Sequence, residues 1–200
     1  MVRKLSFLLI GAIALMLAAC GGGGGTTGNA SSASLNETYD ADGVSFKYPT
    51  GWVVQKPAAT GGPITLANNQ ATLDVLGAGN TTKATSGQQA IIVYPFVGDA
   101  FKAMSATIKS PIDLLNQMAP AMSSGDNGLK FDAPVEATVG GNAAAKATGT
   151  SDAGDGKIIV IKAGDAGYIL VMGVTAKGEL GNLEGTVDGL AETVAVKPAT

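Results

Sequence analysis

Residues 134–176 constrain the fold of this chain more than any other stretch. They read "PVEATVGGNAAAKATGTSDAGDGKIIVIKAGDAGYILVMGVTA". Four strand-length pieces are separated by "GGN" (140–142), "DAGDG" (152–156) and "AGDAG" (163–167). These turns are made of residues that tolerate positive φ. Links this short leave consecutive strands only an antiparallel arrangement, because parallel pairing needs a crossover of a dozen or more residues. "KIIVIKA" (157–163) and "YILVMGV" (168–174) lack clean polar alternation. Strands apolar on both sides are covered on both sides, so helices are expected on both faces of this sheet.

Two helices fit that expectation. In "GELGNLEGTVDGLAETVAV" (178–196), Leu180, Leu183, Val187, Leu190 and Val194 recur at steps of 3, 4, 3 and 4. That is the spacing of an amphipathic helix laid on a sheet. Gly181, Gly185 and Gly189 form a second line beside it. Interior glycine costs about 1 kcal/mol relative to alanine, and a close approach of this glycine line to the sheet is the expected compensation. The GxxxG spacing also occurs in paired membrane helices, but Glu179, Glu184 and Asp188 exclude a membrane span. In "SPIDLLNQMAPAMSS" (110–124), Ser110 is a good N-cap, Pro111 suits the first helical position and Asp113 favours the positive helix end. Ile112, Leu115, Met118, Ala119 and Met122 form its apolar stripe, and Pro120 is expected to bend or shorten it.

Upstream, Val44, Phe46 and Tyr48 alternate with Ser45 and Lys47, the period of a half-buried strand. Pro49 ends it, "TG" turns the chain, and Trp52-Val53-Val54 is expected to return as the second strand of a hairpin. "ITLAN" (64–68), "TLDVLGA" (72–78) and "QAIIVYPFV" (89–97) read as further strands, and "TVAVKP" (193–198) as a closing one. The expected fold class is α+β: an antiparallel sheet with helices on both faces, an α-β-α sandwich formed by one domain over residues 37–198.

The N-terminus carries a different message. Arg3 and Lys4 precede an almost unbroken apolar run of 13 residues, Leu5–Leu17, and small residues then lead to Cys20, the sole cysteine. A charged start, a short apolar stretch and a small-residue cleavage zone read as a secretory signal. The run is too short for a confident transmembrane helix, which takes about 20 residues. Leu17-Ala18-Ala19-Cys20 resembles the lipobox of bacterial lipoproteins. The resemblance implies a signal peptide over 1–19, a diacylglyceryl group on the Cys20 thiol and acylation of the new N-terminus. The fatty chains, of which palmitate is typical, hold such a protein on a bilayer, since each buried CH₂ contributes about 0.8 kcal/mol. Residues 20–36 then form a linker of Gly, Ser, Thr and Asn. Its 16 residues after Cys20 give a reach of roughly 20–24 Å for a flexible coil. Gly21 replaces the Asp that retains many of these proteins at an inner membrane. The cell membrane and an outer membrane both stay open, the domain facing the extracytoplasmic side.

"DGVSFKYPTGW" (42–52) resembles the opening hairpin of the PsbP-like family, S-F-x-Y-P-x-G-W after an acidic-Gly turn. The order of later strands and a terminal helix is similar too. The resemblance implies an antiparallel sheet sandwiched by helices and a small, non-enzymatic accessory domain held at a membrane. That family binds metals partly through His; this chain has no His, so metal binding does not carry over.

Composition excludes several chemistries. Without His the commonest general base and the commonest transition-metal ligand are missing. One Cys permits no internal disulfide. Past residue 19 no Arg remains, and 11 Lys face 16 acidic residues, a net charge of -5 that does not suit nucleic acid. No catalytic residue, no cofactor and no metal site is expected, and the protein is read as not an enzyme. The Ser–Lys pairs Lys109–Ser110 and Lys102–Ser105 lie near a helix start. "DADG" (40–43) and "SDAGDG" (151–156) lack the distal Glu of a calcium loop. "GAGNTT" (77–82) lacks the Lys of a phosphate loop. The favoured function is a lipid-anchored accessory or protein-binding domain with an unidentified protein partner. The alternative is small-ligand binding by Tyr48 and Trp52, with Tyr94 completing an aromatic pocket. A hydrolase, using a serine near a buried lysine, is the third reading.

Overall fold

The computed structural model describes residues 34–59, 61–76, 83–98, 101–102, 107–124 and 128–197. Cys20 and its lipobox, the signal and most of the linker, and "GAGNTT" lie outside them. The described residues form β1 (Glu37–Ala41), β2 (Val44–Tyr48), β3 (Val53–Gln55), β4 (Ile64–Ala67), α1 (Gln70–Leu76), β5 (Gln89–Val97), α2 (Pro111–Met122), β6 (Lys130–Phe131), β7 (Val135–Val139), β8 (Asn142–Thr150), β9 (Asp155–Lys162), β10 (Gly167–Thr175), α3 (Leu180–Thr193) and β11 (Ala195–Val196).

All strand pairs are antiparallel. The large sheet runs β3-β4-β5-β10-β9-β8-β6, with β7 also on β8. The meander β7-β8-β9-β10 matches the sequence expectation, its short turns leaving no other pairing. β5 lies between β4 and β10, pairing Ala90–Val93 with β4. Pro95, which has no N–H to give, falls past the end of β4, where it costs no ladder hydrogen bond on that side.

Helices cover both faces, as predicted for an α+β sandwich. Alternate residues of the central strands enter two cores. Ile159, Ile161, Ile169 and Val171 face α3, meeting Leu183, Val187, Leu190 and Ala191. Ile158, Val160, Tyr168 and Leu170 face α2, meeting Leu114 and Leu115. Each large apolar side chain fully buried this way contributes about 1.5–3 kcal/mol. On α2 the buried stripe is Pro111, Leu114 and Leu115. Leu114 therefore takes an inward place outside the expected stripe, while Ile112 is half-exposed. Pro120 does not stop the helix, which continues to Met122; it sits on the exposed side within the last turn.

Three expectations are corrected. Val44–Tyr48 does not pair with Trp52–Val54. β2 pairs with β1 and β11 in a separate three-stranded sheet, whereas β3 pairs with β4 in the large one. The hairpin turn is Asp42–Gly43, both at positive φ (55° and 78°), and residues 49–52 carry the chain from one sheet to the other. A two-residue Asp-Gly link suits the twist of a hairpin. Second, "TLDVLGA" is largely helix α1: the Asn69 side chain accepts the Thr72 N–H (2.8 Å), capping its start, and the Gln70 amide donates to Asp74 (2.7 Å) one turn on. These local bonds outweigh the strand-like composition. Third, the close approach expected of the helix glycines is not made by Gly181 or Gly189. A Cβ on Gly181 meets nothing within 4 Å, and one on Gly189 meets only the Leu35 side chain. The glycine that admits the helix is Gly173 of β10, where a Cβ would overlap Val187 and lie 3.1 Å from Leu183 Cδ2.

Candidate functional site

One end of the large sheet gathers polar side chains from three loops and from α3. It is built where β5 begins, β9 begins and β10 ends. Thr175, at the last position of β10, is buried and donates its hydroxyl to the Gln88 carbonyl (2.9 Å). The Ala84 N–H donates to the Ala153 carbonyl (2.9 Å), joining the loop before β5 to the loop before β9. Just before α3, the Glu179 carboxylate accepts the Ser86 hydroxyl and the Gly87 N–H (2.8 Å). The Ser86 bond first, and the Gly87 bond second, hold the Glu179 carboxyl below its usual range. Lys177 reaches Asp152 (3.0 Å) and holds that carboxyl below its usual range too, while the Gly178 N–H donates to Asp155 (2.7 Å).

Beside this end lies Lys157 of β9, the one charged residue buried among the described residues. Its side chain is 2% exposed, yet Nζ donates to Glu184 Oε1 (2.7 Å) and Asp188 Oδ2 (2.8 Å). Taking an ammonium out of water is costly unless it is paired and hydrogen-bonded. The two carboxylates, one turn apart on α3 and 45% and 44% exposed, supply that pairing from the helix rim. Lys157 pairs in register with Gly173, the residue on which Val187 and Leu183 seat. The buried stem thus lies under α3 and its head emerges between two carboxylates.

Sequence reasoning missed this group. Lys157 enters the sequence analysis only as the first residue of "KIIVIKA", and Glu184 and Asp188 only as residues that exclude a membrane span. The signal was present in part: carboxylates at i and i+4 of an amphipathic helix, beside its apolar stripe, ask for a cation from whatever they cover.

Tyr48 and Trp52 are half-buried and pack against the α3-side core. Tyr94 is on the opposite face, packed with Phe96 (ring centroids 4.4 Å apart) against the α2-side core. The sheet separates Tyr94 from the other two, so the three rings do not form one pocket. Ser110 caps α2, accepting the Asp113 N–H (3.3 Å); Ser105 lies outside the described residues. In the two Asp-Gly stretches the carboxylates are engaged with protein groups: Asp42 accepts the Tyr39 hydroxyl (2.5 Å) and Asp40 pairs with Lys197 (2.5 Å). Burial first, then the bond to Asp42, push the Tyr39 hydroxyl above its usual range. Among the described residues no three acidic side chains gather as a metal site, and no helix is long and apolar enough to cross a membrane.

No family model matches the chain, and no curated protein does. Among solved structures it is similar to cyanobacterial PsbP (CyanoP) from Synechocystis sp. PCC 6803, 15% identical, covering 88% of this chain and 98% of that one, with a TM-score of 0.49. It is similar to PA94 from Pseudomonas aeruginosa, of unknown function, at 13% identity over 82% and 98% of the two chains and a TM-score of 0.41. It is also similar to LpqN, involved in cell envelope biogenesis of Mycobacterium tuberculosis, at 13% identity over 78% and 83% and a TM-score of 0.38.

Proposed function

We propose that this chain is a lipid-anchored extracytoplasmic protein whose folded part is a non-catalytic accessory domain that docks on another protein at the membrane. The observation that carries the reading is Leu17-Ala18-Ala19-Cys20 at the end of a 13-residue apolar run, followed by an uncharged linker. Acyl chains on the Cys20 sulfur confine the domain to the bilayer surface, and the linker lets it search roughly 20–24 Å around its anchor. In the domain itself, three side chains capable of chemistry are engaged in holding it together. Ser110 caps a helix, Ser86 is bound by Glu179, and Lys157 is clamped by two carboxylates. A domain so arranged is suited to presenting a surface rather than to turning over a substrate.

The test is fractionation of bacteria expressing the full chain and a Cys20→Ser variant, with mass spectrometry of the N-terminal peptide. The unaltered chain is expected in membranes, beginning at an acylated Cys20; the variant is expected to lose the acyl groups and the cleavage. A free thiol on a chain that still begins at Met1 overturns the anchor. Lysine-directed crosslinking in those membranes is expected to recover a protein partner, and recovery of the chain alone overturns the accessory role.

A further inference from the structure

We propose that β7 is the pairing edge of a two-fold dimer of this chain, two copies joining their β7 strands antiparallel about Ala137. β7 (Val135–Val139) lies at the edge of the large sheet on β8, and among the described residues no strand pairs with its other side. An edge strand offers a row of unpaired N–H and C=O groups, and proteins usually blunt it. The other free edges are blunted: β3, β6 and β11 are only two or three residues long, and β1 carries Glu37 and Asp40. β7 holds one charge, Glu136, and no Lys or Pro. It also holds Val135, 52% exposed, the one large apolar side chain that the described residues leave in water.

The register of β7 says which partner fits. Gly140 and Gly141, both at positive φ (54° and 80°), join it to β8 in a two-residue turn, whose flanking residues Val139 and Asn142 form a hydrogen-bonded pair. Such pairs alternate along an antiparallel ladder, so Val135, Ala137 and Val139 direct their backbone groups to β8. Glu136 and Thr138 turn theirs outward. With Ala137 on the axis, Glu136 of each copy faces Thr138 of the other, and each such pair exchanges two hydrogen bonds. Val135 then lies beside Val139 of the second copy, on the face where Ala137 and Val139 pack against the α3-side core. Every residue of β7 is paired, and the two Glu136 carboxylates are kept apart. An axis at Glu136 would set those like charges opposite each other, which destabilises a sheet. An axis at Thr138 would leave Val135 facing the Gly141 turn. The strand is thus its own complement, which favours a second copy over an unrelated segment. A single five-residue strand is a small contact beside the roughly 1,200–2,000 Å² of a stable soluble interface. Copies held on one membrane need less, because tethering raises their effective concentration; to that extent the dimer rests on the anchor proposed above.

Disulfide trapping tests the register. In antiparallel pairs that exchange no hydrogen bond, opposite Cα atoms lie about 4.5 Å apart, within disulfide range. Full chains carrying Ala137→Cys, oxidised in bacterial membranes, are expected to run as dimers on a non-reducing gel, several-fold more than chains carrying Gln117→Cys at an exposed position of α2. Adding Thr138→Pro removes an N–H that β8 does not use. It should cut the dimer about tenfold and leave the circular dichroism unchanged. Trapping no better than that of Gln117→Cys, trapping that survives Thr138→Pro, or a disulfide to another protein in place of the second copy overturns the proposal. The same variants on a Cys20→Ser background, purified and concentrated, read the edge without the lipid. Trapping there, with the Cys20 chain found unlipidated, refutes the anchor and supports the dimer. No trapping in either setting refutes the dimer and leaves the anchor standing.

Discussion

Gly173 of β10 lies directly beneath Val187 of α3, so close that a Cβ on the glycine would overlap the valine's Cγ2. Lys157 is the register partner of Gly173 on the adjacent strand. One backbone position thus sets both the depth at which α3 sits and the height at which Glu184 and Asp188 meet the lysine.

Gly173→Ala is expected to destabilise the domain by about 1–3 kcal/mol, the usual cost of overpacking a core. Val187 is β-branched and cannot swing clear, and Leu183 crowds the same spot. Adding Val187→Ala should recover part of the loss at the shared site, read as coupling in a double-mutant cycle of denaturant midpoints. Gly181→Ala, where the space is open, should instead stabilise by up to about 1 kcal/mol.

Lys157→Ala is expected to cost about 2–3 kcal/mol. It removes buried stem packing and leaves two carboxylates one turn apart without their cation. This falls below the roughly 3–5 kcal/mol typical of breaking a buried pair, because both carboxylates are nearly half exposed and keep some water. Lys157→Met, which restores the stem, should cost less than the alanine change. Urea unfolding of the two variants gives the order, and a reversed order contradicts the assignment.

Glu179 should contribute to the acid limb of the stability profile. Its carboxyl is held below the ordinary value of 4.5 in the folded chain, so the unfolded chain binds the proton more readily. Stability from Glu179 is therefore fully present above about pH 4.5 and is lost as pH falls through the lower, folded value. Glu179→Gln should flatten the dependence of the urea midpoint on pH in that window and leave the slope near neutrality unchanged. An identical acid limb in the variant argues against the Ser86–Gly87 clamp.

Ser110→Ala should cost about 0.5–2 kcal/mol, the ordinary range for losing an N-cap oxygen. Because α2 covers the second core, loss of its cap should appear first as faster amide exchange near Leu114 and Leu115. Ser110→Asp should retain most of the stability.

Much of the framework was legible in residue order alone. The turns at 140–142, 152–156 and 163–167 left the strands between them one way to pair, and the Leu183–Val187–Leu190 spacing marked the face that α3 buries. Local rules misled where two signals competed. Pro49-Thr50-Gly51 looked like a hairpin turn, but Asp42-Gly43 supplied the tighter one, and residues 49–52 became a crossing between sheets. In 70–76 the Asn69 cap decided for helix over a strand-like run.

The polar group around Lys157 was the least legible part, because its three residues are separated by 27 and 31 positions and become neighbours only when α3 docks. Turn chemistry and apolar periodicity act over a few residues, so the sequence by itself determined the antiparallel meander, the two covering helices and the lipobox-like N-terminus. Which glycine admits α3, which strands share a sheet, which side of it each aromatic ring occupies and which lysine meets the helix carboxylates depend on distances between elements remote along the chain. Packing two curved surfaces together sets those distances, and only the tertiary structure decided them.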